Sequence, residues 1–509
     1  MPFRSLALLL VLLVSLACGQ STPATTPQPQ PTNWHTFEEG DVHVRLPGWP
    51  EAPSKDESIL LNLSDGRASV WVKPWPFIPR LVFRSVREWA EKEDQATLLG
   101  QQVSPERVVF DLALSRLVTT LHLKTLLLYC NAKAYEISLA APESDFETYA
   151  PLAEQIFAEA ECTPTGLPPK RTRGALGMVI LPAATNGTAF DPTAYQQALA
   201  LARRSGVQVS HYYIQWGDVE KSPHQYDWAT LDYILEAHAL EGFQVSLVVN
   251  VIHTSVRGRV PADLEGLPFD DPRLASRLAD FLAALAARYS GQIDYLAIGN
   301  EVNNYFVKHP DEVEAYASLF DQARQAVHAV NPDLPVGIVF AYHDAERQNA
   351  FDIIRQLQRG DYTAFTVYLY NEGFHFTRDP GLIAEALDGM LALAGDTPVA
   401  IVETGWNTAP ELDGSEVSQA EYVRQVFAAL RARRERLLFL SWFALHDSLR
   451  ETCEEQALTF FEPGEQPDPA NMEAFMTFIC YFGLRRADGT PKAAWEVWVQ
   501  EAENYLSAP

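Results

Sequence analysis

Two stretches decide the reading of this chain. Residues 295–302 run Tyr295-Leu296-Ala297-Ile298-Gly299-Asn300-Glu301-Val302, and residues 399–406 run Val399-Ala400-Ile401-Val402-Glu403-Thr404-Gly405-Trp406. Each is an apolar run of strand length that delivers a glutamate at or just beyond its end. Working outward, similar runs recur at Ala175–Leu181, Val207–Ile214, Gln244–Val251, Pro335–Ala341, Ala364–Tyr370 and Leu437–Phe443, with the two above covering Ile293–Ile298 and Pro398–Val402. Amphipathic stretches separate them: Ala194–Arg204, Leu231–Leu240, Arg273–Tyr289, Glu312–Val330, Gln348–Arg359, Ile383–Leu393 and Gln419–Arg434. Eight strand–helix steps over about 330 residues predict a (β/α)8 TIM barrel across 175–509, an α/β fold. The structural alternative is an open doubly wound sheet. No G-x-G-x-x-G or P-loop follows a strand, which disfavours a nucleotide-binding sheet.

In such a barrel the chemistry sits at the C-terminal ends of the strands. Glu301 ends the fourth and Glu403 the seventh. A buried carboxylate costs free energy unless it is paired or hydrogen-bonded, so two in equivalent places suggest a purpose. Two carboxyl groups flanking a glycosidic bond are the usual means of its cleavage. In the retaining case they stand about 5–5.5 Å apart, one as acid/base and the other as nucleophile.

These residues resemble the clan A glycoside hydrolases, retaining enzymes built on (β/α)8 barrels. Gly299-Asn300-Glu301-Val302 with Glu403-Thr404-Gly405-Trp406 is similar to the β-1,3-glucanases of family 17. The resemblance extends through Trp216, Glu220 and Gln225-Tyr226-Asp227-Trp228 after the second strand. It continues with Trp442 at the eighth, and with Phe482-Gly483-Leu484 and Asp488 to Trp495 near the end. It implies Glu301 as acid/base and Glu403 as nucleophile. It further implies Asn300 on the sugar 2-hydroxyl and Trp442 as a stacking platform. Tyr370 is expected to hold Glu403, with Tyr368 the alternative. His253 and Asn250, ending the third strand, are expected at the same sugar, with simple packing the rival reading for His253. Trp216 and Trp406 are candidates for sugar contact or for wall packing. The carboxylates need neither metal nor organic cofactor.

Residues 34–163 form a separate α+β unit. Alternation marks Val42–Leu46, Ile59–Leu63 and Ala68–Val72, then Arg107–Leu112, Leu117–Leu123, Leu126–Cys130 and Ala134–Leu139. Helical spacing marks Arg84–Glu93 and Phe146–Glu161. Its ending, Tyr135-Glu136-Ile137-Ser138, Ala141-Pro142 and a long helix, resembles the PsbP/Mog1-like sandwich domains. Trp71, Trp75 and Phe77 read as packing residues, with sugar binding the rival. Residues 164–174 read as a linker.

Residues 1–17 carry Arg4 and then the apolar run Leu6–Leu16, too short to span a bilayer. With Cys18 they resemble a bacterial lipoprotein signal, which implies export and lipidation of Cys18. Residues 18–33, rich in Pro and Thr, suit a tether. The expected partners are therefore a carbohydrate substrate and a membrane reached through the lipid, and the chain is expected to be monomeric. The four remaining cysteines allow three pairings. Each near pair falls within one unit, so Cys130–Cys162 and Cys453–Cys480 are predicted for an exported protein. No cysteine or histidine spacing points to zinc. With 39 Lys+Arg against 66 Asp+Glu, a formal charge of −27 over 509 residues excludes a phosphate-neutralising nucleic-acid surface. Transglycosylation, non-catalytic carbohydrate binding and a docking role for the first unit are the competing functions.

Overall fold

The computed structural model describes residues 31, 33–115, 119–163, 170–184, 191–461 and 468–507. The predicted signal sequence and Cys18 lie outside these residues. The chain divides into two compact units, Met1–Leu167 and Pro168–Pro509.

In the first unit a six-stranded antiparallel sheet runs in the order Leu61–Ser64, Ser69–Trp75, Lys133–Pro142, Thr120–Cys130, Arg107–Ser115, Ala96–Val103. Side chains alternate across a strand. Val70, Val72, Leu126 and Ile137 therefore meet Phe146, Tyr149, Leu152 and Ile156 of the helix Glu143–Glu159 on one face. Trp71, Trp75, Phe110 and Leu112 meet Val82, Phe83 and Val86 of the helix Pro79–Ala90 on the other. Trp71 and Trp75 are core residues, and their indole N–H groups donate to the two oxygens of Glu136 at 2.8 and 2.7 Å. The two strands expected within 117–130 are one continuous strand from Thr120, and Ala96–Val103 is a strand that its weak alternation hid. Trp34–Glu39, Val42–Pro47 and Glu161–Cys162 make a small second sheet.

The second unit is the barrel. Its parallel strands are β1 (Ala175–Val179), β2 (Val209–Ile214), β3 (Gln244–His253), β4 (Tyr295–Asn300), β5 (Val336–Ala341), β6 (Tyr362–Val367), β7 (Val399–Thr404) and β8 (Leu437–Phe443). The sheet closes because β1 pairs with both β2 and β8, and β2 pairs with β3. That excludes the open-sheet alternative. Val209, Val248, Ala297, Val339, Ala364, Ala400 and Phe439 cluster in the core. Helices follow most strands at the predicted places, Pro192–Arg204 and Glu416–Arg433 among them. After β5 the chain forms two short helices, Tyr342–Gln348 and Phe351–Leu357, where one was expected. Asn349, left-handed at φ 54°, breaks them apart.

Both predicted disulfides are present, Cys130–Cys162 and Cys453–Cys480. The second ties the helix Arg450–Ala457 to the helix Pro469–Cys480, a segment inserted after β8. Opening the first, which spans a sequence separation of 32, should cost its unit about 2–4 kcal/mol. Denaturant unfolding of Cys130→Ser against the parent checks this; an unchanged midpoint would remove the bond from the fold's stability.

Candidate active site

The C-terminal ends of the strands open into a cavity of about 810 Å³. Tyr213 enters it from β2, Asn250 and His253 from β3, and Asn300 from β4 with Glu301 just past its end. Thr366 comes from β6, Glu403 from β7 and Phe443 from β8.

Local backbone aims Glu301. Gly299 has φ 85°, and a side chain there would meet the Tyr316 hydroxyl at 2.6 Å. That hydroxyl donates to the Ile298 carbonyl at 2.7 Å. Glu301 itself is left-handed at φ 51°, a conformation that costs a non-glycine residue about 1–3 kcal/mol and recurs at functional sites. Its carboxylate accepts from Thr366 at 2.5 Å and Thr254 at 2.8 Å. Glu403 lies beside Thr366 in the β6–β7 register. It is 7% exposed. The phenol of Tyr213 donates to one of its oxygens, and that of Tyr368 donates to the other at 2.5 Å.

The two carboxyls differ electrostatically. Burial pushes Glu301 up to about 8, and the charges of Glu403 and then Asp344 add to the rise. Burial also raises Glu403, but two phenol donors oppose it by stabilising the anion. Burial and the neighbouring charges thus favour the proton on Glu301, while the two phenol donors favour the anion at Glu403, the kind of inequality that acid and nucleophile pairs use. Burial, with Arg259 next, lowers His253 to about 4, so it is neutral near pH 7. The amide oxygens of Asn250 and Asn300 and Nδ1 of His253 are buried with no hydrogen-bond partner among the described residues.

Three expectations need correction. Trp442 does not reach the cavity: it is wholly buried on the outer side of β8, against Tyr422 and Trp498, with its N–H on the Phe482 carbonyl at 3.1 Å. Its neighbour Phe443 lines the cavity instead, because successive side chains on a strand face opposite ways. Trp216 is likewise buried, stacked on Phe281 and donating to Glu220 at 2.7 Å. Trp406 is buried against Phe376 and Tyr422, which is the packing alternative. Tyr370 lines the cavity but donates to Asp344 at 2.6 Å, and Tyr368 takes the place at Glu403. Tyr213, Thr254 and Thr366, which hold the two glutamates, belong to no motif; their nearness to strand ends is the one mark they carry in the sequence.

Removing one phenol from Glu403 has a predictable effect. Tyr368→Phe should make the Glu403 carboxyl easier to protonate, since a hydrogen bond to a charged group contributes about 1.5–3 kcal/mol. The midpoint of its carboxyl carbon-13 titration should move upward, because the Glu403 anion loses a donor. An unmoved midpoint would detach Tyr368 from Glu403.

No family model matches the chain, and no curated protein is similar to it. Solved structures share its fold. A variant of the GH5_18 protein of Bifidobacterium longum subsp. longum, in complex with Manb1-4GlcNAc, is similar over 66% of this chain and 79% of its own, at 16% identity and TM-score 0.51. The GH5_18 protein of Streptomyces cattleya, in complex with GlcNAc, is similar over 66% and 81%, at 18% identity and TM-score 0.51. An exo-beta-1,4-mannosidase of Opitutaceae bacterium strain TAV5 is similar over 66% and 61%, at 16% identity and TM-score 0.50. The likeness is one of fold: the second unit is a TIM barrel.

Proposed function

We propose that this protein is a retaining O-glycosyl hydrolase acting on poly- or oligosaccharide outside the cytoplasm, held at a membrane through lipid on Cys18. The observation that carries the activity is the unequal pair of carboxyls at the mouth of one barrel, Glu301 raised to about 8 and Glu403 held by two phenols. Glu403 attacks the anomeric carbon while Glu301 protonates the leaving oxygen. Forming the ester removes the charge on Glu403, which lowers the proton affinity of Glu301. Glu301 then takes a proton from water, and water displaces Glu403. Configuration is kept because two displacements occur. The unpaired amide oxygens of Asn250 and Asn300 and Nδ1 of His253 are partners suited to sugar hydroxyls. Substrate groups there would relieve unsatisfied buried atoms, which cost about 1–3 kcal/mol each.

A screen of glycans tests the reading, with β-mannosides first because proteins of the same fold act on or bind such sugars. The products should be sized, and the anomer formed first should be followed by proton NMR. Retention is expected. Inversion would overturn the mechanism, and absence of cleavage across the panel would leave a carbohydrate-binding protein.

A further inference from the structure

The cavity has two chemically distinct walls. The floor, at the strand ends, is polar: Asn250, His253, Asn300 and the two glutamates. The wall built by the insertion after β8, with a loop after β6, is phenylalanine. Phe374, Phe460, Phe475, Phe478 and Phe482 all line the cavity. They form one continuous aromatic face, with Phe374–Phe478 centroids at 4.8 Å, Phe460–Phe475 at 5.1 Å and Phe478–Phe482 at 4.9 Å.

Within this face Phe478 and Phe482 are buried, whereas Phe374, Phe460 and Phe475 remain half-buried. The insertion's polar lining residues, Gln456, Thr459, Asp468 and Asn471, are exposed. They make a wet rim over an apolar interior. None of these phenyl rings carries a hydrogen-bonding group, so the wall offers a substrate apolar contact alone. The Cys453–Cys480 bond braces the two helices that carry it.

The face adjoins the acid. Phe460 packs on His253 at 4.4 Å, and the next residue, Thr254, donates to Glu301. The same face reaches the other carboxyl, with Phe482 on Tyr368, the Glu403 donor, at 5.0 Å. Resting on the glycosidase reading above and narrowing its substrate, we infer that the leaving group protonated by Glu301 departs along this wall and is apolar: the bond cleaved joins an oligosaccharide to an alkyl or aryl moiety. A cavity of about 810 Å³ lies within the roughly 300–1,000 Å³ range of ligand pockets and has room for a ring and such a substituent.

The test uses the whole chain and matched methyl and n-octyl β-glycosides of glucose, mannose, galactose and N-acetylglucosamine, below micellar concentration. On whichever sugar is cleaved, the octyl glycoside should show kcat/KM at least tenfold above the methyl glycoside. Phe460→Ser and Phe475→Ser should each bring that ratio to within about twofold, chiefly by lowering the octyl glycoside's kcat/KM. Equal ratios in the parent protein, or preference for a longer oligosaccharide over the octyl glycoside, would overturn the inference and leave the glycosidase reading intact. Binding to Glu301→Gln by calorimetry separates the other failure. Tighter binding of octyl than methyl glycosides with no turnover of any by the parent protein would sink the hydrolase and keep the apolar site. If the serine variants fail to fold, the parent ratio alone decides.

Discussion

Glu403→Gln is expected to abolish turnover, with kcat/KM falling by roughly 10⁴- to 10⁶-fold, the scale seen when a covalent nucleophile is removed. The substitution keeps the shape and the two phenol contacts in reach but cannot form the glycosyl ester. Folding should be little affected, because a neutral amide in place of a buried charge removes a desolvation cost. A 2-fluoro glycoside with a good leaving group should label Glu403 in the parent protein, and peptide mapping would locate the label. A label on any other residue would move the nucleophile, and near-normal turnover by the variant would end the assignment.

Glu301→Gln should behave differently, and the difference identifies the acid. For alkyl glycosides kcat/KM should fall roughly 10²- to 10⁴-fold, the range of general acid catalysis. For dinitrophenyl glycosides, whose leaving group needs no proton, it should fall little. The parent protein should lose kcat/KM as pH rises through about 8, where Glu301 gives up its proton, and the variant should lack that limb. Stability follows the same group. The ordinary value is 4.5 and the folded value is about 8, so between them the folded chain keeps a proton that the unfolded chain releases. Stability therefore falls as pH rises across that window. Thermal unfolding at both ends of it should show a shallower decline in Glu301→Gln. Equal leaving-group sensitivity in variant and parent would remove Glu301 from the acid's role.

Much of the fold was legible in the chain. All eight barrel strands lie where the apolar runs predicted, within two or three residues at their ends. Runs buried on both faces are continuous in sequence, so they are visible one residue at a time. The ends were less certain because chain termination is a tertiary matter: β6 stops at Val367, which moved Tyr368 and Tyr370 off the strand and gave each a different carboxylate. Trp442 shows the same limit. Its place at the end of β8 was clear from the sequence. Which way it faced was not, since a shift of one residue turns a strand side chain from cavity to helix layer.

The sequence by itself placed the eight strands, pointed to the two disulfide pairings and set Glu301 and Glu403 at strand ends, because each is a local pattern or a spacing; closure of the sheet into a barrel it left open. Tertiary structure alone decided how the two glutamates differ. Tyr213 and Glu403 are 190 residues apart, and Thr366 and Glu301 are 65 apart. They meet only because closing the sheet brings the ends of all eight strands to one rim. There, burial raises Glu301 and phenol donors restrain Glu403, and the long-range contacts that do so leave no trace in the order of residues. The phenylalanine wall has the same origin: Phe374 and Phe475 stand 101 residues apart in the chain and 5.6 Å apart, ring to ring, in the cavity.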